Sequence, residues 1–295
     1  MTATIHSLTA GQPAPYAPAA ARGTTGTTGP TIAENLCRIL SNAPVNAEYY
    51  LMEVEAGDIA LAARPGQFFH LLCPSSEAGR PFLRRPMSIY RIDRENRRLG
   101  FLYKLEGKGT AGLATMQPGQ VLNALGPLGR GFLLPERTRH VLMVARGVGL
   151  ATLAPLAQMA EAQGARATAF LSARSPDLLM SRAELEAAGC RVVEVTDADG
   201  ASDPAALRAR ILRHHDDMPF DFAATCGSNR LFHLVKGLCR DWSIPGQTAL
   251  EARMGCGTGM CYACVVPVTQ SDGSDAYKRV CWDGPVFSMT EAKGW

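Results

Sequence analysis

Four cysteines near the C-terminal end constrain this chain more than any other feature. They follow the spacing C-x4-C-x2-C-x16-C and are Cys256, Cys261, Cys264 and Cys281. Plant-type [2Fe–2S] clusters are held at this spacing, because the cluster needs four thiolates that converge from a short loop. The loop also contains Gly255, Gly257 and Gly259. These glycines let the backbone curl closely enough for its N–H groups to reach the sulfurs, so we predict an iron–sulfur segment over residues 251–295.

A structural zinc site is the alternative for these cysteines. Zinc sites more often use two C-x2-C pairs, and this chain has one. The spacing favours the cluster, while zinc stays open as the ion of a non-catalytic interaction protein. The other cysteines are predicted to be mostly small buried side chains; they are Cys37, Cys73, Cys190, Cys226 and Cys239.

Composition excludes several classes of function. The chain has 295 residues, enough for two domains and a small third, with a net charge of +3 and no dense block of Lys or Arg. We therefore expect no binding to nucleic acid or to an anionic membrane. No stretch of 18 apolar residues occurs, so we expect no membrane span.

The first 30 residues differ in composition from the rest. They are rich in Pro, Ala, Gly and Thr and lack a basic region followed by an apolar one. This pattern predicts a flexible tail and no secretory signal. Clustered cysteines in such a chain favour metal ligation in the reducing cytoplasm over disulfides.

Two patterns of secondary structure follow one another along the chain. Residues 31–135 contain six short strand patterns separated by turns, which predict a six-stranded antiparallel barrel. The six are ENLCRIL, YYLMEVEA, QFFHLLCP, RPMSIYRID, RRLGFLYKLE and QVLNALGPLG. Residues 136–250 alternate apolar strands such as HVLMVAR with helical stretches, which predicts βαβ units around a doubly wound parallel sheet.

Candidate binding residues occur in both regions. On the barrel, Arg85 could form paired hydrogen bonds with a phosphate, Ser88 could bond a flavin edge, and Gly109 with Thr110 opens a short helix that suits an anion. Each also has an ordinary structural interpretation, as an exposed charge or a capped turn.

In the parallel-sheet region, two glycine turns follow strands. Gly147 and Gly149 lie between a buried strand and a helix, where a dinucleotide pyrophosphate binds. Cys226 and Gly227 end another strand, at the edge of the sheet where ligands bind. A plain turn is the alternative for each pair.

Taken together, the motifs resemble the ferredoxin–NADP reductase superfamily and, within it, the electron-transfer subunits of type B dihydroorotate dehydrogenase. The resemblance covers about residues 31–290. Its motifs are RRPMSIY, EGKGT, GPLGRGF, RGVGLATLAPL, CGSNRL, CGTGMCYACVV and RVCWDGPVF. The chain departs from the family pattern at Arg146, where glycine is usual, and at Ala151 and Thr152, where proline is usual.

The resemblance implies three cofactors and a protein partner. It implies that FAD contacts Arg85, Pro86, Met87, Ser88, Leu102, Tyr103, Lys104, Gly109 and Thr110. It implies that NAD(H) contacts Gly147, Gly149, Cys226 and Gly227. NADH would give a hydride to FAD, and the [2Fe–2S] cluster would carry single electrons to a catalytic dehydrogenase subunit in a hetero-oligomer. No side chain is needed as a catalytic acid or base.

The partner and the nucleotide are the open points. Dihydroorotate dehydrogenase, an enzyme of pyrimidine biosynthesis, is the first expectation for the partner, and a hydrogenase or another reductase is the alternative. Arg174 and Ser175 end the second parallel strand, where an arginine favours the 2′-phosphate of NADPH. The family resemblance favours NADH, and NADH is our prediction.

Overall fold

The computed structural model describes residues 32–294, and the tail predicted for residues 1–30 lies outside this range. The described residues belong to one compact unit, Thr31–Trp295. Two large sheets organise it, one antiparallel and one mostly parallel, and a two-stranded hairpin lies near the C-terminal end. Within residues 32–294, no helix has both the length and the apolar character that crossing a membrane requires. The domain boundaries at 135 and 250 remain proposals.

The first sheet has seven antiparallel strands in the order β4-β3-β7-β1-β2-β6-β5. The strands are β1 (Ala33–Pro44), β2 (Tyr49–Glu55), β3 (Phe68–Leu71), β4 (Arg85–Ser88), β5 (Arg91–Asp93), β6 (Arg98–Lys104) and β7 (Val121–Leu128). Two short helices accompany them, α1 (Asp58–Leu61) and α2 (Lys108–Ala114). Side chains that alternate inward fill the interior, and the buried rings of Phe69 and Phe101 meet there edge to face at 5.7 Å.

The sequence predicted six strands, and the seventh arises because one predicted strand is two. The run 85–93 bends between Ile89 and Tyr90. The Ile89 N–H donates to the Gln67 carbonyl, and the Tyr90 N–H donates to the Gly100 carbonyl. The chain thus passes from one edge of the curled sheet to the other and brings the two edges together as a half-barrel. A two-residue alternation is the same before and after such a bend, so the sequence pattern does not reveal it.

The second sheet has six strands in the order β10-β9-β8-β11-β12-β15, and the first five are parallel. Its strands are β8 (His140–Arg146), β9 (Arg166–Ala173), β10 (Arg191–Thr196), β11 (Phe222–Cys226), β12 (Gly246–Ala249) and β15 (Val286–Ser288). Its helices are α3 (Leu150–Ala162), α4 (Arg182–Ala187), α5 (Pro204–Asp217) and α6 (Asn229–Asp241). Helices cover both faces, since α3 packs into one apolar cluster and α5 and α6 into another. The predicted doubly wound sheet is confirmed.

Two strands of this sheet were missed by the sequence patterns. β12 is only four residues long. β15 belongs to the iron–sulfur segment, residues 251–295, and pairs antiparallel with β12. The remaining strands of that segment form a hairpin, β13 (Val265–Thr269) and β14 (Asp275–Arg279). The iron–sulfur segment is therefore attached to the parallel sheet by backbone hydrogen bonds.

The chain reverses its direction of winding between β8 and β11. From β8 it proceeds through β9 to β10 on one side, and β11 and β12 then lie on the other side. The carboxyl ends of β8 and β11 flank a crevice at such a switch point, where ligands bind in open α/β sheets. The predicted nucleotide residues lie at these two strand ends.

Candidate functional site

The four cysteines of the C-terminal motif lie together as two contacting pairs. The backbone N–H groups of Cys256 and Cys261 each lie 3.4 Å from the other residue's sulfur. The Cys281 N–H lies 3.4 Å from the Cys264 sulfur. Within residues 32–294, no three side chains of His, Cys, Asp or Glu converge closely enough to hold one metal ion. Two cysteine pairs match the ligand set of a two-iron group, which takes two thiolates at each iron, better than that of a single zinc.

Backbone N–H groups surround the sulfurs, although the donors are not mainly the glycines. The Thr258 N–H donates to the Cys256 sulfur at 3.4 Å. Gly257 and Gly259 have φ angles of +73° and +83°, and this left-handed backbone turns the intervening N–H inward. Burial disfavours the thiolate, yet N–H groups of Cys261 and Thr258 outweigh it and lower the pKa of Cys256 to about 6. The loop therefore stabilises negative charge on sulfur.

The five other cysteines behave differently. All are buried, and burial raises the pKa of each thiol to about 11 or 12. They are Cys37, Cys73, Cys190, Cys226 and Cys239. The prediction that they are small buried side chains is confirmed.

A cavity of about 270 Å³ opens between the half-barrel and the parallel sheet. Most of the predicted flavin residues line it, and they are Pro86, Met87, Ser88, Leu102, Tyr103, Lys104 and Thr110. The sequence did not point to several further lining residues, which include Phe68, Glu106, Thr152, Glu251 and Met254. We refer to this space as the barrel cavity.

Arg85 and Gly109 lie beside the barrel cavity and against each other. A β carbon at position 109 would lie 2.7 Å from the Arg85 side chain, so glycine is required for the arginine to cross the start of α2. The Arg85 guanidinium donates to the Leu83 carbonyl. The Thr110 hydroxyl oxygen accepts hydrogen bonds from the N–H groups of Glu106 and Gly107, which confirms the helix-capping interpretation of Thr110.

A chain of hydrogen bonds connects the barrel to the parallel sheet. The Thr152 hydroxyl donates to the Ser88 hydroxyl oxygen at 2.7 Å, and the Cys226 thiol donates to the Thr152 oxygen at 3.7 Å. Thr152 is one of the two residues at which the sequence departs from the proline of the resembled family, and its hydroxyl makes a polar contact here. Cys226 is 1% exposed, so its thiol lies behind the cavity wall.

A second cavity, of about 210 Å³, lies at the switch point. Its lining includes the predicted residues Gly147 and Gly227. Gly149 lies behind them, where a β carbon would come within 2.5 Å of the Cys226 carbonyl. Glycine at 149 therefore lets the start of α3 approach the end of β11, as nucleotide-binding turns require. We refer to this space as the switch-point cavity.

Arg146 also lines the switch-point cavity and is held in place by a carboxylate. Its guanidinium donates two hydrogen bonds to Asp197, at 2.5 and 3.1 Å, and one to the Ser172 hydroxyl at 2.8 Å. The bonds from Arg146 hold the pKa of Asp197 below its ordinary value. At the position where the resembled family usually has glycine, this chain therefore has an arginine whose guanidinium is held by Asp197 and Ser172.

Arg174, the predicted determinant of the nucleotide, lines the same cavity. Its guanidinium donates to the Glu48 carboxylate, and the Lys104 ammonium lies 3.7 Å from the other Glu48 oxygen. Glu48 is therefore an anion between two cations. Sequence reasoning missed Glu48, because it lies in a turn of the half-barrel far from β9 along the chain.

The barrel and switch-point cavities share part of their walls. Lys104, Val148 and Glu251 line both. Glu251 is exposed as a residue, but desolvation of its carboxyl by the surrounding protein, with a smaller contribution from the Glu106 charge, raises the carboxyl pKa above its ordinary value. From Glu251 the chain continues along the barrel cavity through Ala252 and Met254. It then enters the loop of residues 255–264, which we call the cysteine loop. The two cavities and the loop thus form a continuous series.

Comparisons with known proteins agree with this arrangement. The family described as the iron–sulfur cluster binding domain of dihydroorotate dehydrogenase B matches residues 251–293. The chain is similar to the electron transfer subunit of dihydroorotate dehydrogenase B (NAD(+)) from Desulforamulus reducens. The two are 34% identical over 250 residues, and this alignment covers 85% of this chain and 94% of that protein. The chain is 34% identical to the Bacillus cereus (strain Q1) subunit of the same name, over 77% of this chain and 86% of that protein.

Solved structures show the same fold. An NADH-dependent reduced ferredoxin–NADP oxidoreductase structure, which was studied for flavin-based electron bifurcation, matches with a TM-score of 0.71 and 27% identity, over 90% of this chain and 91% of that one. Ferredoxin–NADP+ reductase from Plasmodium falciparum matches with a TM-score of 0.54 and 14% identity, over 70% of this chain and 89% of that one. The predicted order of an antiparallel barrel followed by an α/β domain is confirmed, with the barrel present as a seven-stranded half-barrel.

Proposed function

The chain belongs to the family of electron-transfer subunits of dihydroorotate dehydrogenase B, and from this premise we propose that it passes electrons from NADH through FAD and a [2Fe–2S] cluster to a catalytic dehydrogenase subunit. Dihydroorotate is the substrate that we assign to that partner. The thiolate ligands require reducing conditions, and we place the chain in the cytoplasm.

One observation carries the proposal: the switch-point cavity, the barrel cavity and the cysteine loop follow one another. The two cavities meet at Lys104, Val148 and Glu251, and the wall of the barrel cavity continues into the cysteine loop. A nucleotide, a flavin and a cluster placed in this order would have their reactive parts adjacent. When bound, FAD supplies the conversion between a two-electron hydride donor and the one-electron cluster.

The residues of the chain bind and orient these groups. Polar groups at Ser88, Lys104 and Thr110 suit the edge and phosphates of FAD, within walls that include the apolar side chains of Phe68 and Met87. The two cysteine pairs suit one iron each. At the switch point, Gly147 and Gly227 leave room for a dinucleotide backbone beside the N-terminal end of α3.

The ion pair between Arg174 and Glu48 supports NADH as the nucleotide. A 2′-phosphate needs a free cation, and Glu48 already occupies the Arg174 guanidinium. A phosphate placed there would also approach the Glu48 carboxylate, a like charge. Glu48 therefore weighs against the preference for NADPH that Arg174 alone would create.

The surface around the cysteine loop supports a protein partner. Met260, Tyr262 and Trp282 are 82%, 61% and 47% exposed, and all three lie in or beside the motif. Large exposed side chains of this kind are typical of protein interfaces. Docking there would bring an acceptor close to the cluster ligands.

The test is a pair of anaerobic measurements on the full chain. In stopped-flow mixing with NADH, we expect flavin absorbance to bleach and cluster absorbance to follow. With the catalytic dihydroorotate dehydrogenase subunit of the same genome co-expressed, we expect dihydroorotate to drive reduction of NAD+. A colourless chain with stoichiometric zinc contradicts the whole proposal.

A different redox partner is the second candidate. The likeness to the NADH-dependent reduced ferredoxin–NADP oxidoreductase structure favours it, since that match covers nine-tenths of both chains. Flavin and cluster reduction by NADH without a functional complex with the dihydroorotate dehydrogenase subunit supports this candidate. Identification of the co-purifying partner then gives the acceptor.

A further inference from the structure

His70 on β3 is buried without a hydrogen-bond partner. It is 1% exposed, and neither Nδ1 nor Nε2 has a partner among residues 32–294. Burial, together with the charges of Arg84 and Arg85, lowers the pKa of the ring to about 4. An imidazole carries at least one N–H donor, and here it has no described partner. Buried polar groups without partners are rare in folded proteins. We therefore expect the hydrogen-bond partner of His70 to be a bound group that is not part of the chain.

The position of His70 indicates which group that is. Successive side chains of a strand point to opposite faces, so Phe68 and His70 share the face of β3 that is directed away from the barrel interior. Phe68 lines the barrel cavity, and its ring meets that of His70 edge to face at 5.9 Å. On the other side the ring meets Gly257, where a β carbon would lie 2.8 Å from Nδ1. Gly257 directly follows Cys256, so His70 lies between the barrel cavity and the cysteine loop.

We propose that His70 is a positioning residue for the iron–sulfur cluster, and that its imidazole N–H donates a hydrogen bond to sulfur in the cluster's ligand shell. The inference rests on the proposed function, since it assumes the cluster. A hydrogen bond to sulfur stabilises the reduced cluster, which has the greater negative charge, and therefore raises the reduction potential.

The test compares His70→Phe, which keeps an aromatic ring but no N–H, with His70→Gln, which keeps an N–H donor. The cluster potential of each reconstituted holoprotein is measured by redox titration followed by electron paramagnetic resonance. At the midpoint potential of the wild-type cluster, we expect His70→Phe to lower the ratio of reduced to oxidised cluster by about three- to tenfold. A tenfold change corresponds to a reduction potential that is about 59 mV lower, for transfer of one electron. We expect His70→Gln to stay close to wild type, and the flavin potential to be unchanged in both.

A second measurement uses the wild-type protein and does not depend on the folding of a variant. With 15N-histidine incorporated, pulsed electron paramagnetic resonance of the reduced cluster should detect a weak coupling to an imidazole nitrogen. We expect that coupling to be absent from His70→Gln.

Three results overturn the role of His70: an unchanged cluster potential in His70→Phe, a shift confined to the flavin, or no imidazole coupling in wild type. A shift confined to the flavin identifies FAD as the group that His70 contacts. Iron at about two atoms per chain in these samples separates this failure from failure of the proposed function, because a chain that takes up no iron contradicts both.

Discussion

Replacement of Gly257 by alanine tests how the cysteine loop docks on the half-barrel. Gly257 has a φ angle of +73°, and a β carbon there would lie 2.8, 2.9 and 3.1 Å from three atoms of the His70 ring. Real β carbons do not approach other heavy atoms below 3.0 Å, and His70 is 1% exposed, so its ring has little room to retreat. The loop or the strand must move.

The cost has two parts that the chain lets us separate. A left-handed backbone at a non-glycine residue costs about 1–2 kcal/mol. Overpacking of a buried contact costs about 1–3 kcal/mol more. Gly273, in the β13–β14 turn, has a φ angle of +84° and no described heavy atom within 4 Å of its β-carbon position. Gly273→Ala therefore carries the first cost alone, and it is the matched control.

We expect Gly257→Ala to lower the free energy of unfolding, measured by urea denaturation, by about 1–3 kcal/mol more than Gly273→Ala does. The slope of that free energy against urea concentration should be unchanged. Gly257→Ala should also lower the iron content, since the loop carries Cys256. In a His70→Ala background the excess cost should vanish, because the clashing ring is gone. Equal costs for the two glycine variants, or an excess cost that persists without the His70 ring, refute this account of the docking.

Three further predictions concern the cofactors. Cys264→Ser should lose most cluster absorbance and keep flavin, while Cys239→Ser keeps about two irons per chain; an intact cluster in Cys264→Ser contradicts the ligand assignment. Arg85→Ala should retain FAD roughly ten- to a hundredfold more weakly, as for a lost charge-assisted contact; wild-type retention in ultrafiltration shows that another residue holds the phosphates. Glu48→Gln should free Arg174 and raise the ratio of kcat/KM for NADPH over NADH by roughly tenfold, about 1.4 kcal/mol at the transition state; an unchanged ratio in steady-state assays with an artificial acceptor means that Arg174 does not contact the nucleotide.

Features that depend on nearby residues were determined by the sequence itself. The cluster ligands lie within one short stretch, so their spacing alone predicts the group they hold. The change from two-residue alternation to alternating strands and helices predicts an antiparallel barrel followed by a doubly wound sheet, and the structure has the first of these as a seven-stranded half-barrel. Glycines after buried strands predict the turns at Gly147 and Gly227. Each of these signals is local, because backbone geometry and side-chain periodicity act over a few residues.

Features that depend on residues far apart in the chain were decided only by the tertiary structure. The bend at Ile89 depends on which strand edges meet. The pairing of β15 with β12 attaches the cysteine segment to the parallel sheet. The contact of Glu48 with Arg174, and that of Gly257 with His70, join the half-barrel to other parts of the chain. No local pattern encodes such contacts, because they arise from strand register and from the packing of one sheet against another.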